Sequence, residues 1–172
     1  MKSYEEHKKQ APTSVRCMVI TISDTRTPET DTSGRFIVNS LKEHGHTLTD
    51  YQILKDEPDD IRYVVLEAAR SGAIDAILLN GGTGISLRDG TYEAISGILD
   101  KRLDGFGEIF RMLSFQEIGP PAILSRAVAG VVGGTVVISM PGSEGAVRLA
   151  MERILLPELA HMVYEITKQK PK

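Results

Sequence analysis

The stretch Ala76-Ile77-Leu78-Leu79-Asn80-Gly81-Gly82-Thr83-Gly84 carries the reading of the whole chain. Ala76–Leu79 is short, apolar and bounded by a turn signal, as a strand buried on both faces would be. The glycines that follow let backbone N–H groups approach an anion closely and adopt positive φ. The loop is not a P-loop, because no Gly-Lys-Ser/Thr follows, and Leu87 stands where a dinucleotide fingerprint would need its last glycine. A tight turn explains the same glycines equally well.

Outward from this loop, strands and helices alternate. Val15–Ser23 reads as a buried strand, Gly34–His44 as a helix ended by Gly45, and Leu48–Leu54 as a second strand. Pro58–Arg70 is helical, with Ile61, Val64, Val65 and Ala68 on one face. Thr91–Leu99 and Gly105–Phe115 read as helices. Ala127–Val132 and Thr135–Met140 read as strands joined by the hairpin signal Gly133-Gly134. Glu144–Lys168 reads as one long helix that Pro157 kinks. The alternation predicts a three-layer α/β/α sandwich with a mostly parallel sheet and a small β-hairpin. Residues 1–13 read as a flexible tail and 14–172 as one domain. In such sheets, ligands bind beyond the carboxyl ends of the strands. The loops Asp24–Ser33, Asn80–Gly90 and Pro141–Glu144 should therefore converge.

Composition narrows the class. The chain has 172 residues, 41% hydrophobic and 25% charged, with a net charge of −3. That excludes bulk disorder and the basic excess of a nucleic-acid binder. No stretch reads as a membrane span or a signal peptide, and a cytoplasmic protein is expected. The single cysteine, Cys17, lies in an apolar run and reads as a buried thiol. His44 and His46 lack a third ligand in sequence. His7 falls in the tail and His161 on the last helix.

Several motifs could carry chemistry. Asp89, in Arg88-Asp89-Gly90-Thr91, suits Mg²⁺ at a phosphate, but from spacing alone the favoured reading is that Asp89 or Thr91 caps the next helix. Pro141-Gly142-Ser143 precedes a helix whose free N–H groups suit a phosphate, or Ser143 is an N-cap only. Asp56 and Glu57 are either further metal ligands or a solvated acidic turn. Arg126, after Ser125, pairs with a phosphate or with an internal carboxylate.

Taken together and in order, these segments resemble the MoaB/Mog family of molybdopterin adenylyltransferases. The resemblance runs from Val15 to about Leu159. It rests on Ile22-Ser23-Asp24, the Asn80–Gly84 loop with Arg88-Asp89, Gly105-Phe106-Gly107-Glu108, Ala122–Arg126 and Met140-Pro141-Gly142-Ser143. Asp104–Gly119 is similar to the MoaB branch. The resemblance implies transfer of AMP from Mg-ATP to the terminal phosphate of molybdopterin, with pyrophosphate released. Asp56 and Asp89 match the family's catalytic aspartates and would hold Mg²⁺. Gly81, Gly82, Thr83 and Gly84 match the segment lining the nucleotide, and Ser143, with Pro141 and Gly142, a position near the pterin phosphate. Asp24, Glu108, Ser125 and Arg126 match further motif positions. The resemblance also implies a homotrimer or homohexamer and a transient contact with the downstream molybdenum insertase. The rival reading is a non-catalytic oligomer that binds molybdopterin or a nucleotide.

Overall fold

The computed structural model describes residues 2–169. Six strands form one sheet in the order β2-β1-β3-β6-β5-β4. They are β1 (Arg16–Ile22), β2 (Thr47–Leu54), β3 (Ala76–Asn80), β4 (Lys101–Arg102), β5 (Val128–Val132) and β6 (Thr135–Met140). β2, β1, β3 and β6 run parallel. β5 returns antiparallel to β6, and β4 pairs antiparallel with β5. The helices are α1 (Lys2–Gln10), α2 (Thr32–Glu43), α3 (Pro58–Arg70), α4 (Thr91–Ser96), α5 (Asp104–Ile118), α6 (Glu144–Ala150) and α7 (Leu156–Thr167). The three-layer α/β fold expected from the sequence is present.

Side chains alternate across each strand, so the central strands feed two cores. Cys17, Val19, Leu78, Ile138 and Met140 pack against Ile37 of α2, Phe110 of α5, Val147 of α6 and Leu159 of α7. Met18, Ile20, Ile77, Leu79 and Val137 pack against Ile61 and Val65 of α3 and Ile95 of α4. Every residue of β3 and β6 is buried. This is why those strands read as continuous apolar runs rather than alternating ones. Burial also pushes the Cys17 thiol up to about 12, which makes it an inert structural thiol.

Local chemistry sets the boundaries. Asp31 caps α2, its carboxylate accepting from Gly34 N at 2.9 Å, so that helix starts two residues earlier than its apolar spacing predicts. Pro58 opens α3, where a missing N–H costs nothing. Gly133 and Gly134, at φ +56° and +87°, make the hairpin turn that the sequence signalled.

Three features differ from the sequence reading. Lys2–Gln10 is helical rather than irregular, and it packs on α7, where Lys8 pairs with Glu158. Those contacts lie far apart in sequence and leave no local signal. The expected long helix is divided. A π-helical turn, Met151–Leu155, separates α6 from α7. Pro157 has no N–H to give the preceding turn, and the wider turn relieves the missing bond. β4 is two exposed residues with no apolar pattern to announce it.

Leu78→Ala is expected to lower the unfolding free energy by about 2–5 kcal/mol, because the site is enclosed on every side. Tyr63→Ala, on the exposed face of α3, should change it by about 0.5 kcal/mol or less. Urea titration of both variants checks the two-core description.

Candidate functional site

The strand order places β2 on one side of β1 and β3 on the other, so a crevice opens at the carboxyl ends of β1 and β3. The three loops expected to converge do so there. A cavity of about 180 Å³ is lined by Thr21, Arg26, Asp31, Ser33, Asn80 and Gly142. Asn80 donates from Nδ2 to Thr21 Oγ1 at 2.9 Å, and Ser33 Oγ donates to the Gly142 carbonyl at 2.8 Å.

Backbone approach fixes the glycines. Gly81 has φ +101°, and a Cβ there would stand 2.2 Å from the Ile22 carbonyl oxygen. A Cβ on Gly142 would stand 3.0 Å from Gly81 Cα. Gly82 has φ +67°, and its Cβ would meet Thr91 Oγ1 at 2.0 Å and Asp56 Oδ2 at 2.5 Å. A Cβ on Gly84 would meet Asp89 Oδ2 at 2.5 Å. The glycine loop therefore lies directly against both aspartates of interest, which a simple turn between strand and helix does not require.

Asp56 is only 6% exposed. Its Oδ1 accepts from Gly90 N at 3.1 Å and Thr91 Oγ1 at 3.3 Å. Burial, aided by the nearby carboxylates of Asp89 and Asp24, nonetheless raises its pKa above the ordinary range. Asp24 shows the opposite shift. Arg88 donates to it from Nε at 3.0 Å and Nη2 at 2.9 Å, and Asp56 N adds a bond at 3.2 Å. The Arg88 guanidinium is the main reason that Asp24 titrates below the usual carboxylate range. Arg88 also reaches Glu57 at 2.8 Å, so it spans two acidic groups from different loops.

Asp89 does not cap α4. Its Oδ2 turns back to accept from Ser86 N at 2.9 Å and Ser86 Oγ at 2.6 Å. The N-cap of α4 is Gly90, with no side-chain bond. The capping reading thus falls away for Asp89. Thr91, the other capping candidate, bonds Asp56 instead. Ser143 does cap α6, accepting from Ala146 N at 3.3 Å.

Three expected members are placed otherwise. Glu108 lies on α5 and lines a separate cavity of about 210 Å³ with Tyr92, Arg102, Asp104 and Arg111. Arg126 is occupied internally. It pairs with Glu93, donates to the carbonyls of Thr83 at 3.0 Å, Asp89 at 3.3 Å and Gly84, and lies 4.8 Å from the Tyr92 ring centre. It holds the glycine loop in shape, and of its two sequence readings the internal carboxylate is the one found. Ser125 ends the short 3₁₀ turn Pro120–Leu124, its N–H donating to the Ala122 carbonyl. Arg88, Thr91 and Asn80 stand in motifs that the sequence offered, but none of them was read there as a site residue. For Arg88 a signal existed, since a charged residue beside an exposed Leu87 in a glycine loop has no packing role.

The donor set around Asp56 and Asp89 is all oxygen, which suits a hard divalent cation. Among the described residues, these carboxylates do not converge into a three-ligand cluster. That fits Mg²⁺, which takes one or two carboxylates and completes its shell with phosphate oxygens and water.

Comparison with known proteins shows the family. The family model described as "Probable molybdopterin binding domain" matches residues 18–161. The chain belongs to this family. Molybdenum cofactor biosynthesis protein B of Halalkalibacterium halodurans is 60% identical over 169 residues, covering 98% of this chain and 99% of that protein. A crystal structure of a molybdenum cofactor biosynthesis protein B superposes with a TM-score of 0.89 at 54% identity, covering 93% and 100% of the two chains. The tungsten cofactor synthesizing protein MoaB of Pyrococcus furiosus gives 0.81 at 35% identity, covering 91% and 99%. Membership in the molybdopterin-binding family places the chain in molybdenum cofactor biosynthesis. Among the described residues, no helix is long and apolar enough to cross a membrane.

The two aspartates should respond oppositely to neutralisation. Asp56 has a raised folded pKa, so its ionised form costs stability at neutral pH. Asp56→Asn should be at least as stable as wild type at pH 7, and its advantage should shrink as pH falls through the raised pKa. Asp24 has a depressed folded pKa, so Asp24→Asn should be less stable at pH 7. That deficit should vanish as pH falls through the depressed pKa. Urea midpoints at several pH values read both signs.

Proposed function

We propose that this protein adenylylates molybdopterin. A terminal phosphate oxygen of molybdopterin attacks the α-phosphorus of Mg-ATP, the bond to the β-phosphate oxygen breaks, and pyrophosphate leaves. Adenylyl-molybdopterin is the other product. The observation that carries the reading is Asp56: a buried carboxylate kept at an electrostatic cost, bonded to Gly90 N and Thr91, and pressed against Gly82 of the anion-suited loop. Structural devices seldom need such a group, whereas sites for phosphate and Mg²⁺ do.

Gly81 N–H is held by the Met140 carbonyl, so the backbone N–H groups of Gly82–Gly84 are the ones left for the nucleotide phosphates. Asp56 and Asp89 would hold the Mg²⁺ of the nucleotide, which would supply charge neutralisation at the phosphates. Arg88 fixes Asp24 and Glu57 so that neither carboxylate swings toward the phosphates. Gly142 and Ser143 supply the pterin phosphate end. Catalysis here is positioning and charge neutralisation rather than covalent chemistry.

Asp89→Asn tests this reading. Asn can still accept from Ser86 N, so the thermal melt should not move. Adenylyl transfer, read as ATP-dependent pyrophosphate release with molybdopterin present, should fall by about two orders of magnitude or more. Unchanged release with an unchanged melt would reduce Asp89 to a turn residue.

The same proposal includes self-association, as a trimer or a pair of trimers. Ile109, Met112, Phe115 and Ile118 of α5 stand exposed beside Ile123 and Leu124, an apolar face that a monomer would leave in water. Light scattering at micromolar concentration should show an oligomer for wild type and a smaller species for Phe115→Glu. A wild-type monomer would contradict it.

A further inference from the structure

His161 and Glu165 lie one helical turn apart on α7, so their side chains share a face. α1 packs there and brings in His7. His7 Nδ1 lies 2.7 Å from Glu165 Oε1, and His161 Nε2 lies 3.6 Å from the same oxygen. One ligand atom from each of the three residues lies within 4.8 Å of the other two. Tetrahedral ligands held at about 2.0–2.2 Å from one ion stand about 3.3 Å apart. The two measured separations bracket that value.

One further observation points to an ion rather than a plain ion pair. Glu165 Oε2 is engaged by Lys168, while Oε1, closed off from solvent, faces both imidazoles. In addition, His161 Nδ1 lies 3.0 Å from Glu158 Oε2. A carboxylate on one ring nitrogen favours the tautomer with its proton there, the arrangement that orients metal-bound histidines. Lys8 in turn pairs with Glu158, and the His7 ring lies 5.7 Å from the Tyr164 ring.

We propose that His7, His161 and Glu165 bind one divalent transition-metal ion of the zinc class, with Glu158 orienting His161 and water completing the shell. Two imidazole nitrogens select such an ion over Mg²⁺ or Ca²⁺. α1 and α7 contribute nothing to the acidic crevice, so this site is independent of adenylyl transfer. Its effect is mechanical: the ion joins α1 to α7, two helices separated by most of the described chain.

The test uses the full chain without a histidine tag, stripped by a chelator and titrated with Co²⁺. One equivalent should give visible d–d absorption, which Zn²⁺ abolishes by displacement. Metal should raise the melting temperature of wild type and leave that of His161→Gln unmoved. Glu158→Gln should weaken Co²⁺ binding by about 10–100-fold. Asp56→Asn should retain the Co²⁺ spectrum, which separates this site from the acidic crevice. The metal-free melts of wild type and His161→Gln should coincide, so that lost binding is not lost folding. Absence of a one-equivalent absorption band, or a band that persists in the His7→Gln/His161→Gln double variant, overturns the proposal and leaves an ion pair alone.

Discussion

The contact on which the rest depends is Gly81 against the Ile22 carbonyl, with Gly142 packed on Gly81 from the other side. No side chain fits at either glycine, since a Cβ at Gly81 would stand 2.2 Å from a backbone oxygen. Because nothing intervenes, the ends of β1, β3 and β6 close to backbone distance. That closure sets Thr21 beside Asn80 and Ser33 beside Gly142, and it aims the following loop at Asp56. A Cβ would push the strand ends apart and take the loop with them.

Electrostatics is arranged around that closed junction. Asp24 is offset by a two-pronged contact from Arg88, whereas Asp56 is buried with neutral donors only. Two carboxylates from different loops thus have their proton affinities pushed in opposite directions within one crevice. Arg126 bonds the carbonyls of Thr83 and Asp89 from outside and so holds the glycine loop in place. For the proposed transfer, such preorganisation would spare the cost of ordering the loop around its phosphates.

The sheet was legible because β1, β3 and β6 are buried on both faces and therefore read as unbroken apolar runs. The convergence of the loops followed from the alternation of strands and helices, before any distance was known. What the sequence could not carry is contact at long range. Glu108 sits in a shared motif yet lines another cavity, because order along a chain does not state distance across it. From spacing alone Asp89 read more readily as a helix cap, since capping and turn closure use the same residue types; only the direction of its carboxylate, back to Ser86, separates them. β4 has two polar residues, and α1 is held by partners more than a hundred residues away. His7 and His161 gave no hint of each other for the same reason.

The central claim is that this crevice performs a reaction rather than merely holding molybdopterin. The most direct measurement is the stoichiometry of pyrophosphate released by wild type in the presence of Mg-ATP and a limited amount of molybdopterin. Release should stop at one pyrophosphate per molybdopterin, with adenylyl-molybdopterin recovered in equal amount. Bound molybdopterin with no pyrophosphate above a molybdopterin-free control would contradict the account and make the protein a carrier.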